Sequence, residues 1–175
     1  MPPYKKSTRE AVGDMKRGLV VRTTENLEAT DYWLTADTTT IFTVVGRIRL
    51  MGLYALITEN MAGAAQPNFA YVSTTPVITK ADICAVPASV ATKVVGDSVA
   101  WLGATVATVC GIAGPPQMAI CPGANFILGG VAADGTNFIG GITADGSVAD
   151  ATDGNITFYC EYAPMSDGAY VQAAV

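Results

Sequence analysis

The chain has 175 residues, which suits one domain able to bury about 70% of its unfolded surface. Only 14% of the residues are charged, against about 25% in ordinary soluble domains, and glycine, alanine and threonine make up the difference. The net charge is −5 and histidine is absent, which removes the commonest general base and metal ligand from any reading of the chain.

The distribution of charge says more than its sum. Residues 1–22 carry six basic side chains (Lys5, Lys6, Arg9, Lys16, Arg17 and Arg22) against two acidic ones. Residues 23–175 carry four basic and thirteen acidic ones, with no basic residue after Lys93. A basic segment joined to an acidic body is a bipolar chain. Low charge in a soluble protein also favours surface hidden against copies of itself or against another protein.

Residues 1–30 read as an extended arm. Pro2-Pro3 favours polyproline geometry, and the charges follow neither a helical nor a strand period. The polar N-terminus has no apolar stretch of the signal-peptide kind, so synthesis in the cytoplasm is expected. The uncharged run 98–133 is too short in its apolar part and too weakly hydrophobic for a membrane span. Leu19-Val20-Val21 is a candidate short strand, and Asp31-Tyr32-Trp33-Leu34 is an aromatic cluster expected to pack on the core.

Residues 38–50 are dense in β-branched and aromatic types and read as one long strand. At period two, Phe42, Val44, Gly46, Ile48 and Leu50 share one face, while Thr43, Val45, Arg47 and Arg49 share the other. The strand is expected to continue through Ile57, with Gly52 as a bulge or bend. Ala70-Tyr71-Val72-Ser73 and Val77-Ile78-Thr79 read as strands on either side of Pro76. Residues 93–100 form a strand–turn unit around Gly96-Asp97.

A hairpin is expected about Gly114-Pro115-Pro116-Gln117, which puts Cys110 opposite Cys121 as a disulfide candidate. Buried thiols are the competing role for Cys84, Cys110, Cys121 and Cys160. Gly129 to Thr136 returns eleven residues later as Gly140 to Ser147, too few copies for a solenoid. Asp134-Gly135, Asp145-Gly146 and Asp153-Gly154 read as tight turns. In the last strand, Ile156, Phe158, Cys160 and Tyr162 alternate with Thr157, Tyr159 and Glu161. Many short strands with turn punctuation give an all-β fold: an antiparallel β-sandwich or open barrel, jelly-roll-like, over residues 31–175.

No catalytic set emerges. A cysteine nucleophile needs a base and an orienting group, and no histidine is there to serve. There is no C-x-x-C pair for zinc. Asp150 and Glu161 stand at positions 1 and 12 of a calcium loop, but position 6 is Asn155 where glycine is required. Neither Gly-Gly pair leads into a phosphate-binding Lys-Ser/Thr. The chain is therefore read as no enzyme, with no cofactor and no metal. The acidic body argues against nucleic acid as partner, and an acidic protein surface suits the basic arm better.

Phe42-Thr43-Val44-Val45-Gly46-Arg47-Ile48 resembles the FTV-x-G-R-hydrophobic opening strand of small tailed-phage head proteins. Their closing aromatic-x-Pro motif, followed by Asp-Gly, is matched by Tyr162-Ala163-Pro164 and Asp167-Gly168. The resemblance covers about residues 38–57 and 153–171. It implies a capsid decoration, or cement, protein: a β-rich homotrimer on the outer capsid surface, with the major capsid protein as partner and no catalytic residues. Lys5, Lys6, Arg9, Lys16, Arg17 and Arg22 are then the expected capsid contacts. A glycan- or receptor-binding module of a phage fibre or tail is the alternative, with Trp33, Tyr159 or Trp101 stacking on sugars.

Overall fold

The computed structural model describes residues 20–35, 38–83, 89–100, 111–113, 126–146 and 148–175. In chain order the first strands are β1 (Val20–Thr23), β2 (Leu27–Glu28), β3 (Thr39–Val45), β4 (Ile48–Ile57), β5 (Ala62–Gly63), β6 (Pro67–Thr74) and β7 (Val77–Asp82). They are followed by β8 (Ser98–Ala100), β9 (Gly111–Ala113), β10 (Phe126–Leu128), β11 (Ile139–Gly146), β12 (Ala151–Asp153), β13 (Asn155–Pro164) and β14 (Tyr170–Ala173). A single 3-10 turn, Ala29–Asp31, is the one helical element among the described residues.

The fold is all-β, as the alternation predicts. One antiparallel sheet runs β1-β13-β4-β8-β9, with β10 also on β4 and β2 on β13. The second runs β14-β3-β11-β6-β7. A small pair, β12 with β5, stands beside them. Alternate residues from the two sheets fill the space between them, so each strand shows an inward apolar set and an outward mixed one.

Strand β13 follows its sequence pattern throughout. Ile156, Phe158, Cys160 and Tyr162 are buried, and the residues between them are half-buried. Phe158 is the hub of the core. The rings of Tyr32, Trp33 and Phe69 all meet it edge-on, with centroids 5.9, 6.2 and 6.1 Å away. Such edge-to-face contacts each add about 0.5–1.5 kcal/mol beyond area burial. The aromatic cluster at Tyr32-Trp33 thus packs on the core.

The long strand expected over 38–57 is two strands in different sheets. The chain turns at Gly46-Arg47, where Gly46 has φ +73°, a region open to glycine and strained for other residues. Strand β3 lies in the second sheet and β4 in the first. Phe42, Val44, Ile48 and Leu50 are nonetheless all buried, because both strands face the same interior. The irregularity expected at Gly52 is present: Glu161 pairs with Gly52 and Tyr162 with Leu50, leaving Met51 as the extra residue of a bulge.

The Asp145-Gly146 turn is also overturned. Both residues end strand β11, and Asp145 is buried with Lys80 as its ion-pair partner. The two halves of the quasi-repeat differ accordingly. Asp134-Gly135 does form a tight turn, with the Asp134 carboxylate accepting from the Thr136 N–H at 2.9 Å. The second copy is a central strand instead.

Candidate interaction surface

The two ends of the sandwich differ in chemistry. At the end reached by Ile57 and Asn155 stand Glu25, Glu28, Asp31, Glu59, Asp97, Asp150 and Asp153, with Lys93 and the exposed Val94, Val95 and Val148 beside them. Several of these carboxylates serve local structure. Asp150 accepts from both the N–H and the hydroxyl of Thr35, at 2.7 and 2.9 Å. Those bonds, the backbone one first, hold its carboxyl below the usual carboxylate range. Asp153 accepts from the N–H of Gly154 at 2.8 Å, closing the link from β12 to β13.

At the opposite end, two segments far apart in sequence form one corner. The Arg47 carbonyl accepts from the N–H of Met165 at 2.8 Å and of Ser166 at 3.2 Å. The Arg47 N–H donates to the Ser166 hydroxyl at 2.9 Å. The Gly46 N–H donates to the Phe138 carbonyl at 2.9 Å, and the Asn137 amide donates to the Asp167 carbonyl at 3.1 Å. Gly129 packs against the same turn so closely that an added Cβ would lie 1.9 Å from the Gly46 oxygen. The stretches 42–48 and 162–168, singled out in the sequence, therefore meet at this corner.

Beside the corner is a cleft of about 270 Å³ between the β6–β7 hairpin and β10. Its walls are Tyr71, Ser73, Thr75, Pro76, Ile78, Ala81, Ile127, Leu128 and Gly129. None of the described wall residues is charged. The Ser73 hydroxyl is engaged with the backbone of Thr75 and with the Ile139 carbonyl, so it is no free recognition group. Burial pushes the Tyr71 hydroxyl pKa up, and the neighbouring Ser73 side chain and Gly129 backbone act against that rise.

Of the residues expected to contact a partner, Arg22 is described. It is on β1, paired with Cys160 of β13, and its Nε–H donates to the Val171 carbonyl at 3.0 Å. Among the described residues the sheet therefore begins at Val20, inside the stretch read as an extended arm. Lys5, Lys6, Arg9, Lys16 and Arg17 lie outside the described residues. So do Cys84, Cys110 and Cys121, and with them the disulfide candidate, although β9 takes β8 as its partner immediately after Cys110.

Cys160 is a fully buried free thiol, and burial first, then the Glu161 charge, pushes its pKa well up. Trp33 is buried against Phe158, which removes it as a sugar-stacking platform. Trp101 lies outside the described residues. Tyr159 stacks face to face on Tyr54 at 4.8 Å on the outer side of the first sheet. Among the described residues, no three His, Cys, Asp or Glu side chains converge as a metal site.

Sequence reasoning missed Arg47 and Arg49 as surface features of this corner. Both are exposed, and neither makes an ion pair with a described residue. No protein-family model matches the chain, and comparison with curated proteins and with solved structures returns no match.

Proposed function

We propose that this chain is a structural virion protein, a decoration or cement subunit of a tailed phage. It binds the outer surface of the major capsid protein lattice as a homotrimer and stabilises that lattice. The observation that carries the reading is the corner at Gly46 and Pro164. The two motifs that resemble phage head proteins are more than a hundred residues apart in sequence, yet hydrogen bonds between Arg47 and Met165-Ser166 join them into one unit. Their meeting at one corner supports reading them as one structural unit. The low charge and the absence of a histidine-based catalytic set agree with a role in assembly.

Light scattering on the purified full chain and co-sedimentation with expanded empty capsids of the same virus test this reading. A trimer that pellets with capsids is expected. A stable monomer that stays in the supernatant would overturn it.

A further inference from the structure

The second sheet carries a charge pair that neither the corner nor the cleft uses. Lys80 on β7 and Asp145 on β11 form an ion pair across the intervening strand β6. The register explains their meeting. Asp145 is opposite Asn68 of β6, and Asp82, two positions from Lys80, is opposite Ala70 of the same strand. Lys80, Asp82, Asn68 and Asp145 share the face turned away from Phe158, because Phe69 and Ala144, at the alternate positions, belong to the core.

Asp145 is only 6% exposed, so folding takes this carboxylate out of water. Lys80 faces its Oδ2, whereas Oδ1 is buried with no hydrogen-bond partner among the described residues. A buried carboxylate is ordinarily paired and hydrogen-bonded throughout, because an unmet charged oxygen is costly away from water. The ion pair alone leaves that cost standing. Asp82 adds a third group: its carboxylate lies 3.9 Å from the Lys80 Nζ and accepts from the Asn68 amide at 3.1 Å.

We propose that Lys80 and Asp145 condense to an isopeptide bond once the chain has folded, whatever the chain's role in a virion. The Lys80 Nζ attacks Cγ of Asp145, so an N–C bond forms and the Cγ–Oδ2 bond breaks. Two protons pass from the Lys80 ammonium to Oδ2, which departs as water, with Asp82 as their relay. Oδ1 stays as the amide carbonyl oxygen. No oxidant, metal or co-substrate takes part. Both charges are lost, and the buried Oδ1 becomes a neutral acceptor that costs less to keep from water. Well-oriented groups held in contact react as if at about 10⁵–10⁸ M, and the burial of Asp145 keeps water from reversing the step. The Lys80 side chain is 38% exposed, which leaves the released water a way out. The bond joins positions 65 apart and clips the edge strand β7 to β11 over β6.

Intact-mass spectrometry of the purified full-length chain decides the matter without any variant. The folded protein should be lighter than its sequence by one water, beyond any removal of Met1. Trypsin should fail to cut after Lys80, and the digest should hold one branched peptide containing both Lys80 and Asp145. Lys80→Arg keeps the positive charge but offers no reactive amine, so it should show the full sequence mass. Asp82→Asn should leave most of the chain at full mass. Cross-linking of Asp82→Asn as complete as in the wild type overturns the relay. A wild-type chain at full sequence mass overturns the isopeptide bond. So does a water loss that maps to Asp145-Gly146 alone, as a succinimide that hydroxylamine cleaves.

Discussion

Arg22 and Val171 belong to different sheets, and the Arg22 Nε–H donates to the Val171 carbonyl at 3.0 Å. Strand β1 is the edge of one sheet and β14 the edge of the other, so this bond closes the sandwich along one side. Arg22 read from sequence as a capsid contact has a structural role of its own.

Arg22→Ala is expected to lower stability by about 1 kcal/mol, the lower side for a charged hydrogen bond because the side chain is exposed. Arg22→Lys keeps the charge but removes the Nε–H donor, so it should fall with the alanine variant in a urea titration. A lysine variant as stable as the wild type would show that charge alone matters there.

Cys160 offers a test of the core. Its thiol is fully buried with a raised pKa, so it should resist thiol reagents until the chain unfolds. The folded state keeps the proton, whereas the unfolded thiol releases it above about pH 8.5. Stability from this group is therefore complete below that pH and declines as pH rises beyond it. Cys160→Ser should cost about 1–3 kcal/mol through an unpartnered buried hydroxyl and remove that alkaline decline. Guanidinium titrations of both proteins at pH 7 and pH 9.5 measure this.

Two glycines with the same backbone sign separate strain from crowding. Gly129 has φ +74° and an added Cβ would meet the Gly46 oxygen at 1.9 Å, whereas Gly135 has φ +89° and nothing within 4 Å. Gly135→Ala should cost only the backbone preference, about 1–2 kcal/mol. Gly129→Ala must also push back the Gly46 turn, so its loss should exceed that of Gly135→Ala by a wide margin. Equal thermal shifts for the two variants would mean that the Gly46 corner yields freely.

The alternation of apolar residues made the core faces of β3, β4 and β13 legible, because period two depends on local side-chain direction alone. It concealed the break at Gly46-Arg47 for a physical reason. A two-residue turn preserves even and odd positions, and both strands address the same interior, so Phe42, Val44, Ile48 and Leu50 are buried either way. Asp145 defeated the turn rule because its partner Lys80 is 65 positions away on a strand outside its own segment. The surface around Arg49 was hidden too, since Arg49, Ile127 and Met165 become neighbours only through the pairing of β10 and β13 with β4.

The pairing of β1 also decides where the basic segment can be cut. Val20, Val21, Arg22 and Thr23 pair with Tyr162, Glu161, Cys160 and Tyr159, and the Thr24 hydroxyl accepts from the Phe158 N–H at 3.1 Å. A deletion of residues 1–18 keeps all of these bonds and the Arg22 link, and should melt as the full chain does. A deletion of residues 1–23 removes a whole edge strand and should lower the melting temperature by several degrees, the shift that about 1 kcal/mol produces in a domain of this size. On the proposed function, the shorter deletion should weaken capsid binding and flatten its salt dependence, because five of the six arm cations are gone while the sandwich is intact. Capsid binding unchanged in the shorter deletion would take the arm out of the proposed attachment.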